Sequence, residues 1–442
     1  MTEQPLDILI LGHNYAPEPV GIAPYTTGMA QMLAASDHHV RVICGVPSYP
    51  HWAVMKGYAR RGVTHGCEEG VEVTRLPHFV PLVPRGWLRA LHHLSFAMLA
   101  VRASYRACRQ RRPDVIVAIA PSLMSTIVAR VFAVCIRRPL WIHVQDLEVD
   151  VAQATGLLPG GRFSATLLRI VERWALSGDR VSSISPAMCA RLAAKQIVAQ
   201  DIREFRNWAD PAIACREHGE SSYRQEWGIN RPHVVLYSGN IAAKQGVEIV
   251  VETAHRCAHR GDIQFVICGN GANRAALEDA AQGSGILIRD LQPIERLPEL
   301  LALATVHILP QIAGAADLVL PSKLPNMLAS GRPVIATAEE GTGIAGELFG
   351  AGLITPPHDA AALADAIEQL VDDPERCAAM GLEGRRLARE RWNRDAILDA
   401  FGRDLRTLVA EAAQERPPVS LSRPLLPQHQ RSGHVEPVQQ HP

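Results

Sequence analysis

An apolar strand, a glycine-bearing turn and a helix follow one another twice in this chain, more than two hundred residues apart. That repetition constrains the fold more than any other feature. Near the N-terminus, DILIL from Asp7 runs into Gly12, His13 and Asn14, crosses a Pro/Gly-rich loop through Gly21, and enters an amphipathic stretch over residues 25–35. In the second half, HVVLYS from His233 runs into Gly239 and Asn240, a polar loop carrying Lys244 and Gly246, and a helical stretch from about residue 247. A helix start exposes unpaired N–H groups and the positive end of a dipole, which suits phosphate. Two such units predict an α/β chain of two Rossmann-like domains facing across a cleft, not one dinucleotide site.

The rest of the chain keeps the alternation. Short apolar strands are expected over 39–44, 115–118, 140–144 and 181–184, and again over 263–268, 286–288, 306–309 and 333–336, with helices between them. Such runs, apolar throughout, are the mark of a parallel sheet covered on both faces. The periodicity breaks around 203–211, where Pro211 discourages a continuing helix. The domains are therefore placed at 1–206 and 207–412, the second closed by helices over 360–371, 375–391 and 395–410. Residues 413–442 form a Pro-, Gln- and His-rich tail expected to be disordered.

Charge is balanced, 45 basic against 45 acidic residues, so nucleic acid is not an expected partner. The nine cysteines include no CxxC pair and read as small core residues in a reducing compartment. The N-terminus lacks a basic start and a signal-like apolar stretch, and no apolar run reaches the roughly twenty residues a membrane span needs. A cytoplasmic protein is expected. Residues 73–113 contain no acid but eight arginines: Arg75, Arg85, Arg89, Arg102, Arg106, Arg109, Arg111 and Arg112. Within this segment Trp87, Leu88, Leu91, Leu94, Met98, Leu99 and Val101 form an apolar stripe. Two readings stay open. The stripe lies on anionic lipid with the arginines beside it, or it packs on the sheet and the arginines face water.

Several strings recur together in one group of enzymes: GHNYAPEPVGI from Gly12, PSYPHW from Pro47, HVQDLEVD from His143, YSGN from Tyr237 with KQG from Lys244, and PSKLPN from Pro321 with ASGRPV from Ala329. In this order they resemble family 4 glycosyltransferases, in particular the branch of colanic-acid biosynthesis. The resemblance covers about residues 6–410. It implies a GT-B fold with a C-terminal helix returning to the first domain. It also implies a retaining, metal-independent transfer of a hexosyl or fucosyl group from a nucleoside-diphosphate sugar. The implied acceptor is a glycan, a lipid-linked oligosaccharide in exopolysaccharide assembly, reached peripherally on the inner face of the cell membrane. No cofactor is expected.

The site residues follow from both lines of reasoning. Gly21 lets a ligand approach the backbone closely, and the resemblance sets it against the donor phosphate or the acceptor. His143 and Asp146 stand where a parallel strand ends, on the side where open α/β sheets bind ligands. The resemblance gives Asp146, with His143 second, the place facing the acceptor hydroxyl and the reacting carbon. A departing diphosphate gathers negative charge, which cations and backbone N–H groups stabilise. Lys244 stands before one helix start, and Ser322 and Lys323 at another; with Gly239 and Asn240 they form the expected phosphate site. Family members carry an arginine where this chain has Asn240. They also carry two glutamates where it has Leu318, beside Asp317, and Asn326. Asp317 and Asn326 are the substitutes expected to meet the ribose or the sugar. After Cys268, Gly269 and Gly271 lack the third glycine of a dinucleotide fingerprint, since Arg274 holds that place. No Asp-x-Asp occurs, so no metal is expected at the diphosphate. Two rivals remain: a GT-B nucleotide-sugar epimerase, and a non-catalytic nucleotide-sugar-binding protein.

Overall fold

The uninterrupted apolar runs become the inner strands of two sheets. The computed structural model describes residues 4–19, 21–83, 86–120, 122–147, 162–197, 201–214, 221–241, 245–312 and 320–415. In the first half the strands are β1 (Asp7–Leu11), β2 (His39–Gly45), β3 (Thr64–Glu68), β4 (Val71–Leu76), β5 (Val115–Ala120), β6 (Leu140–Val144), β7 (Arg180–Ser183) and β8 (Asp201–Glu204). In the second they are β9 (His233–Ser238), β10 (Ile263–Cys268), β11 (Leu287–Arg289), β12 (Val306–Leu309), β13 (Val334–Thr337) and β14 (Gly352–Thr355).

The first sheet has the order β3-β4-β2-β1-β5-β6-β7-β8 and the second β11-β10-β9-β12-β13-β14. Every pairing is parallel except β3 with β4, an antiparallel hairpin at one edge. Both sheets are doubly wound. In the first, strand order reverses between β1 and β5; in the second, between β9 and β12. Ligands of such sheets bind beyond the strand ends at these reversals. The turns after β1 and β9, the two halves of the repeated unit, therefore each stand at a switch point.

Two features tie the halves together. The crossing segment carries Trp208, whose ring covers Gly28 so closely that a Cβ there would stand 2.6 Å from the ring. The final helix, Arg394–Gln414, begins with Asn393 accepting from the Ala396 N–H at 3.0 Å and lies on the first sheet's side. Its Phe401 stacks on Phe205 at 4.5 Å and meets Trp141 edge-on at 4.8 Å. Its Glu411 pairs with buried Arg180 at 3.0 Å. The expected GT-B arrangement, with its returning helix, is the one observed.

The helix Gly86–Gln110 separates the two readings of its apolar stripe. Phe96, Ala97 and Ala100 face the core, while Trp87, Leu91, Leu94, Met98, Val101 and Tyr105 face out. Trp87 is 73% exposed and Met98 59%. Successive steps of three or four residues set these six on one face, with Arg102, Arg106 and Arg109, all exposed, beside them. Not every arginine of the acid-free segment joins this face. Arg75 is buried in a two-oxygen pair with Glu68 at 2.7 Å, and Arg111 binds Asp7 at 2.7 Å. Arg85 lies outside the described residues.

Candidate active site

On the second sheet, Gly239 follows β9 with φ +147°. Its N–H donates to the Cys268 carbonyl at 2.9 Å, and Ile241 N–H to that of Asn270 at 2.9 Å. The turn after β9 is thereby laid against the turn after β10. Gly269 and Gly271 make this contact possible, since a Cβ on either would collide with the carbonyls of Gly239 and Ile241. This glycine pair serves turn-on-turn packing. The Tyr237 hydroxyl donates to the Asn240 carbonyl at 2.6 Å and fixes the same turn.

Lys323 reaches this point from the start of the helix Leu324–Ala329. Its Nζ lies 4.1 Å from the centroid of the Tyr237 ring. A Cβ on Gly239 would stand 3.1 Å from it. The stem is partly exposed, but Nζ itself is covered and has no hydrogen-bond partner among the described residues. The ring face offers a cation some compensation. Burial still pulls the lysine pKa down to about 7. The helix behind it has six residues, too short for a strong dipole, so positive charge at this turn comes from the lysine when it is protonated.

On the same segment, Ser322 contacts the first half of the chain and Asn326 the segment that joins the two halves. The Tyr25 hydroxyl donates to the Ser322 carbonyl at 3.4 Å, and Asn326 Oδ1 accepts from the Asp210 N–H at 2.7 Å. Asn326 thus spends its oxygen on the crossing segment, leaving its amide nitrogen for any ribose or sugar contact. Tyr25 stands in the first turns of the helix Ala23–Ala35, just after Gly21. Gly21 has φ +75°, and a Cβ there would touch the Tyr49 ring at 3.4 Å. The turn before this helix and the turn before Leu324–Ala329 are thereby neighbours, one from each half. Lys244 and Asp317 lie outside the described residues.

Glu18 organises the first-half loop, and sequence reasoning passed over it. Only 5% exposed, its carboxylate accepts from Ser48 N–H at 2.8 Å, Tyr49 N–H at 2.9 Å and Asn14 Nδ2 at 2.8 Å. It joins the string from Gly12 to that from Pro47. Burial raises its pKa against these hydrogen bonds. The available signal was an acid alone in a loop otherwise made of Pro, Gly and uncharged residues.

His143 and Asp146 part company. His143 is 1% exposed, with Nδ1 2.9 Å from the Ser182 hydroxyl and its ring against Phe205. Burial lowers its pKa to about 3. The ring is sealed in the core between Ser182 and Phe205, where it sets the end of the strand. Asp146, past the end of β6, is half-buried. Glu148 and Asp150 lie outside the described residues.

Comparison with known proteins agrees with this architecture. Residues 232–373 match the family described as Glycosyl transferases group 1, and residues 20–208 the Glycosyl transferase 4-like domain. The chain is 35% identical over 418 residues, 91% of its length, to all of an Escherichia coli (strain K12) protein named for colanic acid biosynthesis, glycosyl transferase WcaI. Among solved structures it resembles the sucrose-phosphate synthase of Thermosynechococcus elongatus, with TM-score 0.70, 19% identity, and 92% of this chain and 100% of that one covered. It also resembles HepE of Anabaena in complex with UDP-glucose, with TM-score 0.64, 16% identity, and 90% and 99% covered. At these identities the structural likenesses speak for the fold alone.

Proposed function

Since the chain belongs to the group 1 glycosyl transferases and is a glycosyltransferase of the polysaccharide-building type, we propose a specific reaction for it. It moves a sugar from a nucleoside-diphosphate sugar, with retention of configuration, to a lipid-linked glycan at a membrane surface. The observation that carries this reading is the Lys323 Nζ, covered and with no hydrogen-bond partner among the described residues, over Tyr237 beside Gly239 at the switch point of the second sheet. A charge held out of water without a hydrogen-bond partner is costly, and a diphosphate next to it removes that cost. The stabilisation grows as the leaving group gains charge, which is the requirement for catalysis.

In this reading residues 207–412 are the donor half. Lys323, the Gly239–Asn240 turn and Lys244 are assigned to the diphosphate, without a metal, and Asn326 and Asp317 to the ribose or sugar. Residues 1–206 are the acceptor half, where Gly21 and the Glu18-braced loop form one wall. Asp146 orients the acceptor hydroxyl, whose oxygen forms the new glycosidic bond and whose proton passes to the oxygen of the diphosphate as that group leaves with the bonding pair.

Peripheral attachment to the inner leaflet is supported by the outward face of the helix Gly86–Gln110. The helix Leu123–Ile136 packed beside it, and Arg162–Ala175 packed on that helix in turn, also expose Val131, Val134, Ile170 and Trp174. No described helix is long and apolar enough to cross a membrane. An apolar face of this width with arginines among it fits lipid better than water. The test is transfer of labelled sugar from UDP-, GDP- and dTDP-sugars into lipid extracts of the producing cell. Label entering the lipid fraction supports the reading. A donor isomerised with no acceptor present, or bound without turnover, would overturn it.

A further inference from the structure

We propose that His13, His78, His92 and His93 form a binding site for a divalent transition metal of the zinc type. The four come from three elements: His13 follows β1, His78 follows β4, and His92 and His93 lie on the helix Gly86–Gln110. One ligand nitrogen from each of His13, His92 and His93 lies within 4.8 Å of the others. His78 Nε2 stands 3.1 Å from His13 Nε2, a hydrogen bond that an ion between the two rings would replace.

The backbone anchors two of the rings. His78 Nδ1 is 3.1 Å from the Leu76 carbonyl and His92 Nδ1 2.7 Å from that of Phe79. A carbonyl only accepts, so each Nδ1 carries the proton and each Nε2 keeps its lone pair. That anchoring is how proteins orient imidazoles for a metal. His13 Nδ1 and both nitrogens of His93 are buried with no hydrogen-bond partner among the described residues. An aromatic stack by itself leaves these atoms unexplained; an ion would take one nitrogen from each ring.

The chemistry fits in two respects. Imidazole donors without carboxylate select zinc, cobalt, nickel or copper over magnesium and calcium. Nitrogens in a tetrahedral site with metal bonds of about 2.0–2.1 Å stand about 3.3 Å apart, a spacing that small imidazole rotations reach. Arg89 acts on His92 and His93 with a positive charge that opposes the ion and weakens binding. The ion would tie the Glu18 loop to the base of the outward-facing helix. This differs from a magnesium at the diphosphate, which needs clustered carboxylates, and it does not depend on the donor assignment.

The full-length chain, without a histidine tag and stripped by chelator, is titrated with cobalt(II). One equivalent is expected to bind with the visible bands of tetrahedral nitrogen ligation, and zinc to displace it. His93→Gln and His13→Gln should each weaken binding by about tenfold or more, with circular dichroism unchanged. His93 is partly exposed, so its variant folds even if that of His13 does not. Absence of the visible bands, or cobalt binding untouched in His93→Gln, would overturn the site; the second result would also follow if the C-terminal histidines were the ligands.

Discussion

The ammonium of Lys323 sits 4.1 Å from the centre of the Tyr237 ring, covered and without a hydrogen-bond partner among the described residues. Its pKa of about 7 stands below the ordinary 10.5. Between these values the unfolded chain holds a proton that the folded chain has released. The lysine therefore makes the fold less stable as pH falls through that window, and the loss is complete below the lower value. A diphosphate beside Nζ restores the charge. Nucleotide binding at about pH 8.5 should then take up close to one proton, measured by calorimetry in buffers of different ionisation enthalpy. Lys323→Met should abolish the uptake and cut turnover by about 10²–10³. Equal uptake in wild type and variant would place the diphosphate elsewhere.

Glu18→Ala should lower stability while sparing nucleotide affinity. It strips an acceptor from the Ser48 and Tyr49 N–H groups, and each buried donor left unpaired costs about 1–3 kcal/mol. Differential scanning calorimetry should show a clear drop in Tm, smaller in Glu18→Gln, which keeps a carbonyl oxygen. A melting curve like wild type in Glu18→Ala would deny the carboxylate its bracing role.

Replacing Trp87, Leu94 and Met98 together by Ser should leave Tm nearly unchanged, because all three side chains are exposed. Recovery on phosphatidylglycerol vesicles should fall. Removing Arg102, Arg106 and Arg109 should reduce binding and flatten its salt dependence, by up to about 1 kcal/mol for each arginine. Vesicle co-sedimentation across a salt series reads both. Undiminished recovery in the apolar triple variant would rule this face out as the lipid contact.

Asp146→Asn should cripple transfer and leave nucleotide affinity within a few-fold of wild type, since the proposed phosphate contacts lie in the other half. His143→Ala should behave differently, losing thermal stability through the cavity left between Ser182 and Phe205. With a pKa of about 3, His143 should contribute no limb to the activity profile above pH 5. Titration calorimetry and pH–rate profiles separate the two residues. A collapse of nucleotide affinity in Asp146→Asn would make that carboxylate structural or move the donor.

The inner strands were legible because parallel strands buried on both faces read as unbroken apolar runs, as DILIL and HVVLYS do. The hairpin of β3 and β4 was not. β3, THGCE, is exposed along most of its length, and its turn announces itself only through Glu69 and Gly70, both at positive φ. The outward face of the helix Gly86–Gln110 was half legible: the apolar residues were visible, but a second, smaller apolar face at Phe96, Ala97 and Ala100 turned out to meet the core. Lys323 was found through its helix start, yet its environment comes from Tyr237 and Gly239, more than eighty residues away. His13 and His92 are likewise brought together only by the sheet, and no spacing rule links them.

The most direct test of the account follows the anomeric proton of the donor sugar by NMR during turnover with a competent lipid-linked acceptor. A new glycoside of the same anomeric configuration as the donor is expected, formed in step with released nucleoside diphosphate and lost in Lys323→Met. A product of inverted configuration, or a donor epimerised with no glycoside formed, would contradict it.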